Sequence, residues 1–324
     1  MSNSKRVTGI GSALVDILIN ETDAFLEALN KEKGGMTLEE NSTIEHILSQ
    51  TDQTPAIVQG GAACNTIVGM GKLGGDARFI GRRGDDAYGR LFEDALASCN
   101  VEGRLTLSDT PTGKVVSVVT PDAQRSMFTF LGASTELTPD RITEDLFTDT
   151  AITMIEGYLL FNPDSMRAAL TAARAAGSKI ALDLASFEVV NASKDLLDEL
   201  IKDSVDILIA NEDEALAFTG IEDEEKALER LSRDVEYGVL KQGKRGSIIS
   251  HKGQIHTIKA VEGSDAVDTT GAGDLWAAGF LFGLVNGFSI EKAGAIASAC
   301  GYEVCQVMGA QIPEDGWERI RKLI

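Results

Sequence analysis

The sequence is poor in cysteine and histidine, which argues against two kinds of protein. Its four cysteines are scattered over 324 residues, too few for a disulfide framework in a chain of this length. Its three histidines show no clustered spacing of the kind that binds zinc. We therefore expect neither a disulfide-stapled fold nor a structural metal site.

Long apolar runs, a secretory leader and internal repeats are also lacking. No apolar run reaches the roughly 20 residues that a membrane-spanning helix needs. The N-terminal stretch MSNSKRVTGIGSALVDI lacks the basic, apolar and small-residue order of a signal peptide. We therefore expect a cytoplasmic protein without a membrane partner. Without repeats or linker-like tracts, we expect one domain over residues 1–324.

Positive charge is in deficit, with 30 basic against 50 acidic residues and a formal charge of −20. Such a field repels a phosphate backbone, so we expect no nucleic-acid partner. A small anionic ligand remains compatible with this charge, because helix N-termini and a few local cations can form a positive pocket.

Short apolar strands alternate with helical patterns through much of the chain. VDILIA (205–210) leads into the helical stretch NEDEALAFTG, and KIALDLA (179–185) follows a helix that Gly177 ends. This repetition predicts an α/β fold with a central, mostly parallel sheet flanked by helices.

Other segments predict a second, smaller sheet. GKVVSVVTPDAQRSMFTFL (113–131) is typical of a hairpin that turns at residues 120–123. SALVDILI (12–19) and PAIVQ (55–59) predict further strands, with two short helical patterns between them. We interpret these pieces as a small antiparallel β-sheet lid, built from about residues 12–20, 33–59 and 104–132.

Two phosphate motifs can be judged at once. No G-x-x-x-x-G-K-[ST] sequence occurs, which excludes a P-loop. GMGKLG (69–74) matches the dinucleotide pattern G-x-G-x-x-G, but it ends a helical pattern begun at Ala62 instead of following a strand. We interpret its glycines as helix packing; an NAD-linked oxidoreductase is the alternative and rests on this motif alone.

The stretch DTTGAGDLWAAGF, residues 268–280, carries the most specific pattern. Gly271, Ala272 and Gly273 precede an apolar helix and predict free amides that surround a phosphoryl group. Asp274 follows in the first turn, where a carboxylate can accept a proton from an attacking alcohol. The alternative for Asp274 is a simple helix N-cap.

Three further segments suggest ligand contacts, each with a structural alternative. Gly60, Gly61 and Asn65 in GGAACN could approach a ligand or form a turn with a surface asparagine. Asn211 and Glu214 in NEDE share a helix face; they could orient water on a magnesium ion or merely cap an acidic helix. The stretch KQGKRGS could contact a nucleotide through Lys241, Gly243 and Gly246, or its glycines could only turn a hairpin.

Together these motifs, in this order, resemble the ribokinase-like (PfkB) family of sugar and nucleoside kinases. The resemblance implies ATP and Mg²⁺, a lid over the acceptor, Asp274 as catalytic base and the 271–273 amides as anion hole. It implies that Asn211 and Glu214 support magnesium and the phosphates, with Glu214 acting through water. It places the acceptor's hydroxyls on Asp16, Gly60, Gly61 and Asn65, and a monovalent cation such as K⁺ at Asp268 and Thr270. A monomer and a homodimer both agree with it.

The acceptor is less defined by the sequence. MTL (36–38), the 120–133 stretch and EGYLL (156–160) resemble bacterial adenosine-kinase-like members, which favours an adenosine-like acceptor. Ribose, fructose or another free sugar is the alternative, and a non-catalytic sugar or nucleoside binder is a more distant one. Arg125 could bind substrate or face solvent, and Phe128 and Phe130 could stack on a purine or form lid core.

Overall fold

The computed structural model describes residues 5–122 and 124–324. The strands of these residues are β1 (Arg6–Ile10), β2 (Leu14–Asn20), β3 (Met36–Leu38), β4 (Ala56–Gly60), β5 (Ala77–Gly84), β6 (Val101–Ser108), β7 (Gly113–Val119), β8 (Arg125–Phe130), β9 (Thr150–Glu156), β10 (Lys179–Asp183), β11 (Ile207–Asn211), β12 (Tyr237–Lys241), β13 (Ser247–His251) and β14 (Gln254–Ile258).

The α-helices of the same residues are α1 (Asp23–Ala28), α2 (Asn41–Gln50), α3 (Ala62–Lys72), α4 (Ala87–Ser98), α5 (Pro163–Ala175), α6 (Phe187–Ser204), α7 (Glu212–Thr219), α8 (Glu224–Leu231), α9 (Ala272–Val285), α10 (Ile290–Val304) and α11 (Glu314–Arg321). None of the described helices combines the length and hydropathy that crossing a membrane requires.

The main sheet has the strand order β14-β13-β12-β11-β10-β9-β1-β5-β6. From β6 to β12 all neighbours are parallel, while β13 and β14 are antiparallel additions at one edge. Residues of β11 alternate between two apolar layers: Ile207 and Ile209 pack on one side, Leu208 and Ala210 on the other. Burial on both faces explains the continuous apolar run ILIA, and the predicted α/β fold is confirmed.

Two groups of helices cover this sheet. One face carries α3, α9, α10 and α11, and the other carries α5 to α8. The GMGKLG stretch lies at the end of α3, where a Cβ on Gly69 would come within 2.6 Å of the Ala278 Cβ of α9. Gly69 therefore serves helix packing, and Gly71 lies against the Cys99 carbonyl. Gly74 has φ = +84° in the turn that follows α3. All three glycines thus have structural roles, and the dinucleotide-binding interpretation is wrong.

The smaller sheet has the order β3-β8-β7-β2-β4. β7 and β8 form the predicted hairpin, although Ala123 of its predicted turn lies outside the described residues. The expectation of an antiparallel sheet holds only for the pairs β2–β4 and β7–β8, because β2 pairs in parallel with β7 and β3 with β8. Strands far apart in sequence come together here, and only β7 and β8 are joined by a tight turn, which requires antiparallel pairing.

One boundary of the expected lid also needs correction. The third piece was expected to begin near residue 104, but residues 101–108 form β6 and pair in parallel with β5 at the edge of the main sheet. The contribution to the small sheet begins only at Gly113. Both segments are β-rich, so composition alone does not show which sheet each joins.

The close contact between α9 and α10 predicts that an added methyl group at Gly279 lowers the stability of the protein. A Cβ on Gly279 would lie 2.7 Å from the Ala297 Cα, whereas one on Gly301 of α10 would find ordinary contacts from 3.4 Å outward. Gly279→Ala should lower the free energy of unfolding by about 1–3 kcal/mol, because backbone must move. Gly301→Ala, the matched control, should stay within about 0.5 kcal/mol or gain stability. Denaturant unfolding measures both; equal effects would contradict this packing.

Candidate active site

The N-terminus of α9 provides backbone amides at the edge of the main sheet. Gly271 is the N-cap residue and has φ = +74°, a left-handed conformation that favours glycine. Leu275 N donates to Gly271 O at 2.8 Å, while Ala272 N closes a turn onto Thr269 O at 3.1 Å. The remaining first-turn amides have no intrahelical acceptor, and the helix dipole adds positive potential. This end of α9 is therefore suited to an anion.

Asp274 is held beside these amides by α3. Its Oδ2 accepts a hydrogen bond from Asn65 Nδ2 at 3.0 Å, and its backbone carbonyl accepts one from Thr66 Oγ1 at 3.1 Å. The N-cap position belongs to Gly271, without a side-chain cap bond. The simple N-cap interpretation of Asp274 is therefore wrong, and its carboxylate remains available for chemistry.

The surroundings of Asp274 favour the protonated acid more than water does. Burial raises the pKa of this carboxyl from 3.8 to about 7; the charges of Asp183 and Glu156 add to the rise, while Asn65 and Lys241 oppose it. A pKa near neutrality suits a group that accepts a proton in one step and releases it to solvent later.

Lys241, predicted to contact the nucleotide, lies beside the N-terminus of α9. Its Nζ donates to Asp183 Oδ2 at 2.9 Å, and a Cβ on Gly273 would lie 2.9 Å from that Nζ. Although burial opposes it, the neighbouring Asp183, Glu214 and Asp274 charges raise the pKa of Lys241, which keeps the ammonium charged. Gly273 therefore leaves room for a cation above the anion-binding amides.

Asp183 was missed by the sequence analysis. It ends β10, and its other oxygen accepts a hydrogen bond from Ala185 N at 3.0 Å. The available indication was its position: a polar residue at the carboxyl end of a buried parallel strand lies where ligands of α/β sheets bind.

Asn211 and Glu214 form a reciprocal capping box at the start of α7. Glu214 N donates to Asn211 Oδ1 at 2.9 Å, and Asn211 N donates to Glu214 Oε2 at 2.8 Å. Burial raises the pKa of Glu214 to about 7, against the charge of Lys241. The structural alternative considered for this motif is thus confirmed, and a role toward magnesium stays a prediction.

Gly243 and Gly246 lie in the hairpin that joins β12 to β13. Gln242 N donates to Gly246 O at 2.8 Å, and the intervening Arg245 is exposed. The hairpin interpretation is confirmed, while contact with a nucleotide stays a prediction. Within the described ranges, no group of three His, Cys, Asp or Glu side chains is arranged to hold a metal ion.

The predicted acceptor residues lie close together around the start of α3. Asp16 lies on β2, opposite Val58 of β4, and a Cβ on Gly60 would be 2.5 Å from the Asp16 carboxyl carbon. Gly61 has φ = +101° at the N-cap of α3, whose next turn carries Asn65. Burial raises the pKa of Asp16 to about 6, and only the charge of Arg125 opposes this.

Glu156 supports this region and was also missed. It is 1% exposed, and its Oε1 accepts hydrogen bonds from the amide and hydroxyl of Ser12 at 2.7 Å each. Its Oε2 accepts one from Ala63 N at 3.0 Å. Glu156 therefore ties the turn after β1 to the start of α3, which sets the position of Asn65.

Arg125, Asp268 and Thr270 were predicted separately, and the structure brings them together. Arg125 Nη2 lies 2.5 Å from Asp268 Oδ2, and its Nη1 donates to Thr270 Oγ1. Arg125 is on β8 of the small sheet, whereas Asp268 and Thr270 precede α9. The ion pair therefore connects the small sheet to the loop that forms the anion-binding end.

Phe128 does not face this site. It is 1% exposed and belongs to the core of the small sheet, while Phe130 packs against that core. The core interpretation is confirmed for Phe128, and its stacking on a purine is excluded. Because side chains alternate along β8, the opposite face carries Arg125, Met127 and Thr129.

The fold and this site place the chain in a known class. The pfkB family carbohydrate kinase model matches residues 36–316, and the chain belongs to that family. It is therefore a PfkB-type kinase.

Individual relatives agree with this assignment. The chain is 30% identical to a ribokinase of Arabidopsis thaliana over 316 residues, covering 93% of this chain and 76% of that one. A probable sugar kinase of Rhizobium etli CFN 42 superimposes with a TM-score of 0.89 at 30% identity over the full length of both chains. The adenosine kinase of Sinorhizobium meliloti gives 0.87 at 33% identity, over 98% of this chain and 99% of that one.

The raised pKa of Asp274 predicts a pH-dependent cost in stability. A carboxyl whose pKa is higher in the folded than in the unfolded state releases its proton at a higher pH when folded, so stability falls between the two pKa values as pH rises. The gain in unfolding free energy from Asp274→Asn should therefore grow between about pH 5 and about pH 7 and level off above that.

Asp86→Asn is the matched control. Asp86 caps α4, and hydrogen bonds from Thr112 and Gly89 outweigh burial and lower its pKa. It is thus ionised in both states over this interval, and the effect of its substitution should not change with pH. Parallel pH-dependent curves for Asp274→Asn and Asp86→Asn would contradict the strained environment of Asp274.

Proposed function

We propose that this protein transfers the γ-phosphoryl group of magnesium-bound ATP to a primary hydroxyl of an adenosine-like nucleoside. The observation that carries the proposal is Asp274, held by Asn65 beside the free amides of α9 with a pKa of about 7. Base and anion site lie within one helical turn, which is the arrangement that phosphoryl transfer to an alcohol requires.

In the proposed mechanism, Asp16 and Asn65 orient the acceptor between the small sheet and α9. Asp274 accepts the proton of the primary hydroxyl as its oxygen attacks the γ-phosphorus. The new O–P bond forms as the bond to the β–γ bridging oxygen breaks, which leaves ADP. The amides of Gly271 and Gly273 stabilise the charge on the transferred group, whereas the amide of Ala272, also predicted to take part, donates to Thr269 O at 3.1 Å.

Lys241 complements these amides with a full positive charge. Its ammonium is held by Asp183 at 2.9 Å and faces Gly273, so it can contact an equatorial oxygen of the phosphoryl group without first becoming ordered. Magnesium enters the site bound to ATP. We assign to Asn211 and Glu214 the role of holding water molecules of that ion, and we place Gly243 and Gly246 near the nucleotide. The small sheet acts as a lid that excludes water.

The register of the small sheet supports a nucleoside as acceptor. Paired residues of neighbouring strands project from the same face, and the pairs Asp16–Val115, Val115–Thr129 and Thr129–Leu38 form one row across it. Leu38 is 61% exposed and the adjacent Met36 54% exposed. A purine can cover these apolar side chains while its ribose lies at Asp16, whereas a free sugar offers much less apolar surface.

Tyr158 also supports a nucleoside as the acceptor. It lies in the 3-10 turn Gly157–Phe161 after β9 and is 38% exposed. Burial and then the charges of Glu156 and Asp274, among others, raise its pKa to about 12. Its place just after the carboxyl end of β9 puts the ring at the sheet edge where ligands of α/β folds bind. An aromatic ring at this mouth is suited to pack on a base.

A free-sugar kinase is the second candidate. The ribokinase and probable sugar kinase names among the relatives favour it. Both acceptors present a primary hydroxyl to Asp274, so the two candidates share the mechanism and differ only in what covers the apolar face of the small sheet.

Asp274→Asn tests the mechanism. Removing the base should lower turnover by about 10²–10⁴-fold, measured as acceptor-dependent ADP release. Circular dichroism and thermal unfolding establish that the variant is folded. Asp203→Asn, an exposed change at the end of α6, is the control and should keep full turnover. Near-normal turnover of Asp274→Asn would contradict Asp274 as base.

Leu38→Ala tests the acceptor class. It should raise KM for adenosine by about tenfold through lost apolar contact and leave KM for ribose unchanged. Leu107→Ala, which removes an equally exposed leucine from β6 of the main sheet, should alter neither. A wild-type preference for ribose or fructose over adenosine in the same assay would replace the first candidate with the second.

A further inference from the structure

The carboxylate of Asp268 is surrounded by hydrogen-bond donors. Its Oδ1 accepts from Thr270 N at 3.1 Å and Thr270 Oγ1 at 2.8 Å. Its Oδ2 accepts from Gly309 N at 2.7 Å and from Arg125 Nη2 at 2.5 Å. Both side chains of the ion pair are only 13% exposed. A hydrogen bond to this carboxylate therefore comes from each of three separate chain segments.

The monovalent cation implied by the family resemblance does not fit these residues. It would need the same carboxylate and hydroxyl oxygens that Arg125 contacts, since Arg125 Nη1 also donates to Thr270 Oγ1. A second positive charge within a few ångströms of the guanidinium, in a partly buried place, would be repelled. With Arg125 in place, both Asp268 carboxylate oxygens accept two hydrogen bonds each and the Thr270 hydroxyl is also engaged, so these side chains are not free to bind a metal ion.

The contact between Arg125 and Asp268 joins the small sheet to the loop before α9. Arg125 begins β8 and pairs with Val119 of β7, so its backbone belongs to the small sheet. Asp268 and Thr270 immediately precede Gly271, whose left-handed conformation starts α9. Holding Asp268 from the small sheet thus fixes the loop that aims the phosphoryl-binding amides, and does so when the small sheet is closed over the site.

We propose that Arg125 is a positioning residue that replaces a monovalent cation at Asp268, so that the enzyme needs no K⁺. The guanidinium supplies the positive charge that orders the 268–271 loop, and the lid carries that charge with it. Closure of the lid and completion of the anion site are then one event. This inference rests on the proposed phosphotransferase function.

The first experiment measures acceptor-dependent turnover of the wild-type protein in K⁺, Na⁺ or N-methyl-D-glucamine salts at equal ionic strength. Turnover should agree within about twofold among the three, because no ion enters the site. Arg125→Ala should lower kcat by about 100-fold through misplacement of the anion site, and K⁺ or guanidinium should restore part of that loss.

Two further variants separate positioning from simple loss of structure. Arg125→Lys keeps the charge and should retain more turnover than Arg125→Ala, without a response to K⁺. Lys33→Ala removes a cation from the loop before β3, where it pairs with Asp23 and Asp122, and should behave as wild type. Activation of the wild type by K⁺ of about tenfold or more, or full turnover of Arg125→Ala in N-methyl-D-glucamine, would overturn the inference.

Thermal unfolding in the same salts provides a readout that needs no acceptor. The wild-type Tm should not differ between K⁺ and N-methyl-D-glucamine, whereas the Tm of Arg125→Ala should rise with K⁺ or guanidinium. K⁺-specific stabilisation of the wild type, or no cation response in Arg125→Ala, would overturn the inference. If no acceptor is phosphorylated, the proposed function fails, while this measurement still decides whether Arg125 occupies a cation site.

Discussion

A carboxylate kept in the first turn of an almost wholly buried helix is the constraint on which the rest of the site depends. From Leu275 to Gly283 every residue of α9 is buried, so the position of its N-terminus is fixed by core packing. Asp274 is the acidic residue at that end, and α3 reaches it through Asn65 and Thr66. Packing of α3 on α9 therefore positions the proposed base and the proposed anion site together.

The electrostatics follow from that placement. Burial raises the pKa of Asp274, the proposed base, and the nearby charges of Asp183 and Glu156 add to this rise. Lys241 offsets part of this acidity from the side of the main sheet. An incoming phosphoryl group enters a region that is acidic overall but positive where α9 and Lys241 meet. The net charge of −20 thus coexists with a local anion site.

The sequence predicted the features whose chemistry is local in the chain. The α/β class followed from alternating patterns, and the proposed anion site with Asp274 was suggested by glycines and a carboxylate placed within a few residues. Asp183 and Glu156 escaped prediction because they act from the ends of separate parallel strands, and their partners Lys241, Ser12 and Ala63 are distant in sequence. A local pattern does not contain such contacts.

The pairing of strands in the small sheet was also only partly predictable from the sequence. Its hairpin was predictable from a turn, but the parallel pairing of β2 with β7 depends on the chain crossing the main sheet between them. Phe128 is in the core and Arg125 forms an ion pair with Asp268 because the Arg125 face of β8 is the one directed toward α9. Alternation gives two faces, and only tertiary packing decides which one borders the site.

Transfer of phosphorus to a primary hydroxyl can be followed directly with an acceptor carrying ¹⁸O at that hydroxyl. After reaction with unlabelled ATP, the ¹⁸O should remain in the bridge between carbon and phosphorus of the product, seen as an isotope shift in its ³¹P spectrum. That result is expected if the hydroxyl activated by Asp274 attacks the γ-phosphoryl group. Product phosphorylated at another hydroxyl, or inorganic phosphate alone, would contradict the proposed mechanism.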